Sequence, residues 1–205
     1  METTKTIAIY GQSGHGSVVA DIARSCGFTT ILWIDDDPKK EHSLHYDTFK
    51  KLYSDTPVAL GIGNNYLRQK IFDKLTRDAI TCPTLIHPSA IIAPSVTIDQ
   101  GSVVMPLAVI NAQSHIAKGV IINSGAVIEH DCTLHDFVHV SPKCALAGGV
   151  NVESLTHIGI GSSIIQNINI GSKSVIAAGS AVTHDVACNV LVAGVPAVVK
   201  KEFHE

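Results

Sequence analysis

The sequence predicts a small parallel α/β unit followed by a parallel β-helix of hexapeptide repeats, and three observations predict it. First, every sixth residue from Ile86 is aliphatic: Ile92, Ile98, Val104, Ile110, Ile116, and onward in unbroken phase to Ile164, Ile170, Ile176 and Val182. Second, a small or β-branched residue stands two before each, as at Ala90, Ser102, Ala126, Cys132, Cys144, Thr156 and Ser174. Third, the stretch ahead of Ile86 lacks this period and alternates short apolar runs, glycine turns and helical patterns. A period of six is neither the 3.6 of a helix nor the alternation of a strand. Three such short strands close one triangular coil, and stacked coils place like positions over like. The sixth-residue aliphatics then form columns inside a prism, with the small residues leaving room at its corners. At eighteen residues per coil, the tract from Ile86 to Val182 supplies roughly five to six coils.

In chain order, Lys5 to Tyr10 reads as a strand ending in the turn Gly11-Gln12-Ser13-Gly14-His15-Gly16. A helix follows, with Val18, Val19, Ile22 and Ala23 on one face and Cys26-Gly27 closing it. Thr30 to Ile34 is a second strand, ending in Asp35-Asp36-Asp37-Pro38. Residues 39–56 are polar and unpatterned. Val58 to Ile62 is a third strand, and Gly63-Asn64-Asn65 leads into a helix from Tyr66 to Leu75. Strand, glycine turn, helix, strand is a Rossmann-like βαβ unit. The expected division is therefore 1–82 for the α/β domain and 83–205 for the β-helix, with Thr81 to Leu85 crossing between them. Beyond Val182 the repeat dissolves; Val190 to Val199 reads as one last extended segment, and Lys200-Lys201 begin a polar tail.

The composition suits a solenoid: 205 residues, 45% apolar, 16% charged and 5% aromatic. A formal charge of −3 and a pI near 6.4 give no electrostatic case for nucleic acid or an anionic membrane. No apolar run approaches the ~20 residues of a membrane span, and Met1 to Lys5 is no signal peptide, so the expected location is cytoplasmic. The five cysteines form no CxxC pair, and Cys132 and Cys144 fill small-residue slots, which reads as reduced core thiols.

Three groups of residues carry chemistry. Gly11, Gly14 and Gly16 let backbone N–H groups and a helix N-terminus approach a phosphate. Asp35 and Asp36 follow at the distance of a ribose-binding carboxylate. The spacing G-x-x-G-x-G is not the dinucleotide fingerprint, and three strands suit a mononucleotide such as UDP rather than NAD. The competing reading is a turn needed only for tight strand–helix packing. Among outward-facing histidines, His115 and His157 read as solvated. His130 differs because Asp131 follows it and Asn123 precedes it by about a third of a coil. A carboxylate beside an imidazole fixes its tautomer and raises its basicity, as a general base requires. The residues alone leave His130 open between base and surface imidazole. His139 lies half a coil on, so the two meet only across a subunit interface. Last, Gly148-Gly149, Gly159, Gly161, Ala177-Ala178-Gly179 and Gly194-Val195-Pro196 offer an edge of bare backbone to a long ligand, or simply fill tight corners.

The sequence resembles the hexapeptide-repeat sugar acyltransferases, and among them the UDP-4-amino-sugar N-acetyltransferases of the bacillosamine pathway; the sialic-acid O-acetyltransferases are near relatives. The resemblance rests on IYGQSGHG at 9–16, Asp35-Asp36, GIGNNYLRQKI at 61–71, VIEHDCTLHDFVHVS at 127–141 and AGVPA at 193–197, in order along the whole chain. It implies a left-handed β-helix, a homotrimer with active sites between neighbouring solenoids, and transfer of acetyl from acetyl-CoA to the C4 amine of a UDP-4-amino-4,6-dideoxy sugar. It also implies site roles. His130 would take the amine proton, oriented by Asp131, where the N-acetyltransferases carry Glu. Gly148 would offer its N–H to the oxyanion, and His139 of the adjacent protomer would contact acetyl-CoA near the thioester. Gly14, His15, Gly16, Asp35 and Asp36 would hold UDP, and Asn123 would line the sugar pocket. Gly161, Ala178, Gly179 and Pro196 would line the pantetheine groove, with Lys200 at the CoA phosphates. No metal is implied, because a thioester is already activated. Positioning can supply ~7–11 kcal/mol and a general base ~10²–10⁴-fold.

Other readings are an O-acetyltransferase of sialic acid or a related sugar, and a non-catalytic nucleotide-sugar-binding scaffold. A zinc enzyme of the γ-carbonic anhydrase kind would use the His130/His135 spacing, but its third ligand would fall near Pro94, where no histidine stands.

Overall fold

The computed structural model describes residues 5–203. Strands β1 (Thr6–Tyr10), β2 (Thr30–Ile34) and β3 (Val58–Leu60) form a parallel sheet in the order β2–β1–β3. Helix α1 (Gly14–Ser25) starts where Ser13 accepts a hydrogen bond from the Gly16 amide at 3.2 Å, and it buries Val19, Ala20, Ile22 and Ala23. Helix α3 (Asn65–Arg77) is capped by Asn64, which accepts from the Leu67 amide. It runs past both ends of the predicted helix. The segment 39–56, expected to be unpatterned, contains helix α2 (Tyr46–Tyr53). Eight residues bury only Tyr46 and Phe49, three apart, too few to register as a period.

From Leu85 the chain winds as a three-sided parallel β-helix of two-residue rungs. Register fixes the coil: Ile121 lies over His139 and His139 over His157, eighteen residues apart. The sixth-residue aliphatics fill the prism from Val104 to Val182, while Ile86, with no coil before it, is 37% exposed. Cys132 and Cys144 are buried free thiols. The last extended segment is an antiparallel hairpin, Val190–Gly194 against Ala197–Glu202, rather than a single strand. It adds to the sheet carrying Val175–Ile176.

The three faces have different fates. One, with outward residues Thr97, His115, Thr133, Asn151 and Asn169, is polar. A second, with Ile91, Val109, Val127, Ala145, Ser163 and Ala181, is small or aliphatic and uncovered; Ile91 is 68% exposed. The third carries Val103, Ile121, His139, His157 and Val175. The α/β domain lies on this covered face: Leu85, Val103, Met105 and Ile121 share an apolar cluster with Ile7, Ile9 and Ile22. From the next corner Phe137 enters the α/β core and meets Phe72 edge-on at 5.5 Å.

Candidate active site

A cleft of about 410 Å³ opens at the C-terminal ends of β1 and β3, the crevice where open α/β sheets bind ligands. Gly11, Ser13, Asp35, Asp36 and the Gly61–Asn64 loop line it. Gly14 is exposed at the start of α1, where helix N–H groups lack intrahelical partners. Gly16 answers to packing. Its amide is taken by Ser13, and a Cβ there would run into the Gly11 carbonyl. This replaces the expectation of a direct phosphate contact from Gly16. Asp35 lines the cleft while accepting from the Gln12 amide at 2.8 Å and the Asp37 amide at 3.0 Å. Asp36 is engaged as well, accepting from the Tyr10 hydroxyl at 2.6 Å and the Tyr46 amide at 3.0 Å, with Lys74 at 3.7 Å. Burial alone would raise its carboxyl, but these partners, Tyr10 first, hold it below the usual range. Asp36 therefore braces the cleft wall that it lines.

His130 stands at an exposed corner of the solenoid. Its Nδ1 lies 2.7 Å from Asp131 Oδ2, which assigns the ring proton to Nδ1 and leaves Nε2 bare. Asp131 reaches back because it occupies the left-handed turn position, φ +59°, that Gln113, Gly149 and Asn167 fill in other coils. One coil along, Gly148 passes directly beside the imidazole: a Cβ there would sit 2.5 Å from Cε1 and 2.7 Å from Nε2. Among the described residues the Gly148 amide has no backbone acceptor. A base with its free nitrogen outward and an adjacent unpaired N–H is the minimum for acyl transfer.

The histidines of the covered face form a second group. His139 stacks on His157 at 4.7 Å with rings 5° from parallel, and His15 of α1 tilts over His139 at 6.3 Å. His157, expected to be solvated, is instead roofed by the α/β domain and bonds Ser141 at 2.8 Å. Asn123 does not meet His130 within the protomer; it donates to His139 Nε2 at 3.2 Å. The Ser124 amide donates to Asn123 Oδ1 at 2.8 Å, which fixes the amide's orientation and makes its nitrogen the donor. His139 therefore carries its proton on Nδ1. That atom and His15 Nε2 are buried without a hydrogen-bond partner among the described residues. Burial, with the Arg68 charge nearby, lowers His15 to about 4. Burial and the charges of His157, Arg68 and His15 lower His139 to about 3, against a slight upward pull from the Gly63 peptide, which completes no hydrogen bond with Nδ1. His157 is lowered by burial and then by Arg68. A second cleft of about 620 Å³, edged by Gly63, Asn64, His139, His157 and Phe203, opens here.

Sequence reasoning missed Arg68, which reads as one charge in a polar helix. No local pattern marks it, because its partners Gly119 and Phe137 lie fifty-one and sixty-nine residues on.

The remaining predicted residues sit elsewhere. Gly161 (φ +68°) and Gly179 (φ +67°) stack at the corner between the covered and bare faces, with Ala178 exposed beside them. Pro196 lies in the terminal hairpin turn and Lys200 is exposed on its second strand. His135 turns to Asn151 at 3.0 Å and Glu153 at 3.7 Å. Among the described residues no three His, Cys, Asp or Glu side chains converge as a metal site, and no helix is long and apolar enough to cross a membrane.

A βαβ cap on a three-sided hexapeptide helix, with a carboxylate-held histidine at one corner, defines the hexapeptide-repeat acyltransferase class. Residues 6–75 match the model of the PglD N-terminal domain. The chain is 37% identical over 111 residues to UDP-N-acetylbacillosamine N-acetyltransferase of Bacillus subtilis (strain 168), a match covering 49% of this chain and 51% of that protein. The chain thus spans about half the length of that curated relative. A mutant of GDP-perosamine N-acetyltransferase from Caulobacter crescentus, in complex with CoA and GDP-perosamine, superposes with a TM-score of 0.92 at 34% identity, covering 98% of this chain and 99% of that one. The acetyltransferase domain of PglB from Neisseria gonorrhoeae, in complex with acetyl coenzyme A, gives 0.90 at 33%, covering 97% and 100%. The chain belongs to this family of sugar N-acetyltransferases, with the left-handed β-helix that defines it.

Proposed function

We propose that this chain transfers the acetyl group of acetyl-CoA to the C4 amine of a UDP-4-amino-4,6-dideoxy sugar by direct attack. The observation that carries the reading is the His130–Asp131 pair beside Gly148. The neutral amine forms its N–C bond to the thioester carbonyl carbon while its proton passes to His130 Nε2. The oxyanion is met by the Gly148 N–H, the C–S bond then breaks, and the proton goes on to the CoA thiolate. The nucleotide occupies the cleft at Gly11 and Asp35, reached by the N–H groups of Gly14 and His15. Pantetheine runs along Gly161, Ala178 and Gly179 toward Pro196 and Lys200. The bare aliphatic face supports a homotrimer, since a closed ring of three would cover it. In that ring one protomer's His130 corner faces the edge of the next, where the partner subunit's His139 and Asn123 complete the sugar and thioester pocket. The cytoplasm, which supplies acetyl-CoA and nucleotide sugars, is the compartment this reading requires.

A second acceptor has its own support: the likeness to the GDP-perosamine enzyme runs over nearly the whole chain, that to the UDP-sugar enzyme over half. The test is thiol release from acetyl-CoA with a UDP-4-amino sugar, GDP-perosamine, sialic acid and CMP-sialic acid, on wild type and His130→Ala. Turnover on the UDP-amino sugar that falls about 10²–10⁴-fold in His130→Ala is expected. Turnover only on GDP-perosamine corrects the nucleotide, and turnover only on a sialic acid moves the reaction to O-acetylation. No thiol release from any of the four would overturn the reading in favour of a binding scaffold.

A further inference from the structure

We propose that Arg68 is a positioning residue for both clefts: its guanidinium pins the Gly61–Asn64 loop, their shared wall, to the solenoid. Arg68 is 1% exposed, the largest fully buried side chain among the described residues. No carboxylate pairs with it there. Instead the fork spends every donor on oxygens. Nε donates to the Gly119 carbonyl at 2.7 Å, and one terminal nitrogen donates to the Phe137 carbonyl at 2.7 Å and Asn65 Oδ1 at 3.0 Å. The other terminal nitrogen reaches back to the carbonyls of Gly63 at 3.0 Å and Ile62 at 3.3 Å. Asn65 in turn donates to the carbonyls of Leu155 at 2.9 Å and Thr156 at 3.1 Å. Two neighbours on α3 thus read carbonyls of three successive coils, at residues 119, 137 and 155.

What this clamp holds is specific. Ile62 and Gly63 line the first cleft and Gly63 lines the second, so one loop sets the width of each. Packing alone would be met by an apolar side chain, whereas a planar fork with five N–H donors fixes the loop's orientation as well as its distance. The same charge sits against the imidazoles of His15, His139 and His157 and opposes protonation of each, second to burial at His15 and His157 and behind burial and His157 at His139. The other charges at this corner are the Lys118–Asp136 pair, 3.2 Å apart, and Lys173 at the rim of the second cleft. Arg68 thereby aligns the nucleotide cleft with the solenoid and adds to the burial that opposes protonation of the histidines between them.

The kinetic arm of the test rests on the proposed acetyl transfer; the spectroscopic arm does not. Arg68→Lys keeps the charge and loses the fork, Arg68→Met loses both, and Asn65→Ala loosens the clamp while keeping the guanidinium. Imidazole C–H resonances of His15, His139 and His157 are titrated by NMR in each full-length protein. The midpoints are expected to rise in Arg68→Met and to stay in Arg68→Lys and Asn65→Ala. In steady state Arg68→Lys is expected to raise KM for the UDP-amino sugar about tenfold, with KM for acetyl-CoA within about twofold. If Arg68→Met fails to fold, Arg68→Lys against Asn65→Ala decides: equal losses of thermal stability with unequal KM for the sugar support positioning. Arg68 variants that lose stability yet leave midpoints and both KM values in place would show a rivet and nothing more. Should no acceptor turn over, backbone amide shifts of Gly61, Ile62, Gly63 and Asn64 decide: unmoved in Arg68→Lys and Asn65→Ala, they overturn the positioning role.

Discussion

The two histidine sites are made from one repeat and could hardly differ more. His130 stands at a corner in water, its side chain 63% exposed, and owes its definition to a single carboxylate one residue on. His139 stands on a rung, buried beneath His15 of α1, stacked on His157, its Nε2 on Asn123 and its Nδ1 without a partner among the described residues. The first keeps a ring nitrogen free toward solvent, while burial, then the charges of His157 and Arg68, oppose protonation of the second. An outward position in a solenoid is therefore not one environment: a corner faces solvent and a neighbouring copy, while a rung faces whatever the remaining chain folds onto it.

The sharpest way to break this contrast is at the corner, by taking away the room for the ring. In Gly148→Ala the new Cβ would lie at non-bonded contact far inside van der Waals range of His130 Cε1 and Nε2, and the imidazole must swing away. Misplacement by an ångström costs about 10²-fold in turnover. The expected result is a kcat loss of that order with substrate KM values and thermal stability near wild type. Unchanged kcat would mean that His130 works from another position.

A smaller effect is expected on the covered face. His157→Leu removes the ring beneath His139 and the bond to Ser141, whereas His157→Phe keeps the ring and loses only the bond. A stacked aromatic pair contributes about 0.5–1.5 kcal/mol, up to about tenfold. His157→Leu is expected to lower kcat/KM by that much and His157→Phe to restore most of it. Equal losses would place the weight on Ser141 instead.

The contrast also marks what sequence could and could not disclose. The corner was legible because its determinants are local: a period of six fixes the phase of residue 130, and Asp131 is the next residue. The covered face was not, because phase says only that residues 139 and 157 point outward. Which of three faces is roofed depends on the path of Thr81 to Leu85 and on contacts such as Arg68 to Gly119 and Asn65 to Leu155, fifty-one and ninety residues apart. Asp36 is only half legible for the same reason. Its place after β2 suggested a ribose, while its real partners, Tyr10 and Tyr46, come from strands and helices on either side. The short helix α2 escaped because two buried aromatics make no period.

The contrast has a consequence for stability as well as for chemistry. His15 and His139 titrate near 4 and 3 in the folded protein and His157 is lowered too, while in the unfolded chain each takes a proton near pH 6.5. Below about pH 6.5 the unfolded state therefore binds more protons than the native one, and stability must fall as pH falls. The window runs from about 6.5 down to about 3, the lower end set by His139. Its upper part, above about pH 4, belongs to these imidazoles, because the carboxyls of Asp36 and Asp78, held below 3.8 when folded, lose their share only beneath that value. With three groups contributing, the melting temperature is expected to drop on the order of 10–20 °C between pH 7 and pH 5, at constant protein concentration. His139→Leu should flatten the slope by removing one proton from the balance. A melting temperature level across this range would mean that the roof over the covered face admits water and protons freely, and the distinction between the two sites would fall with it.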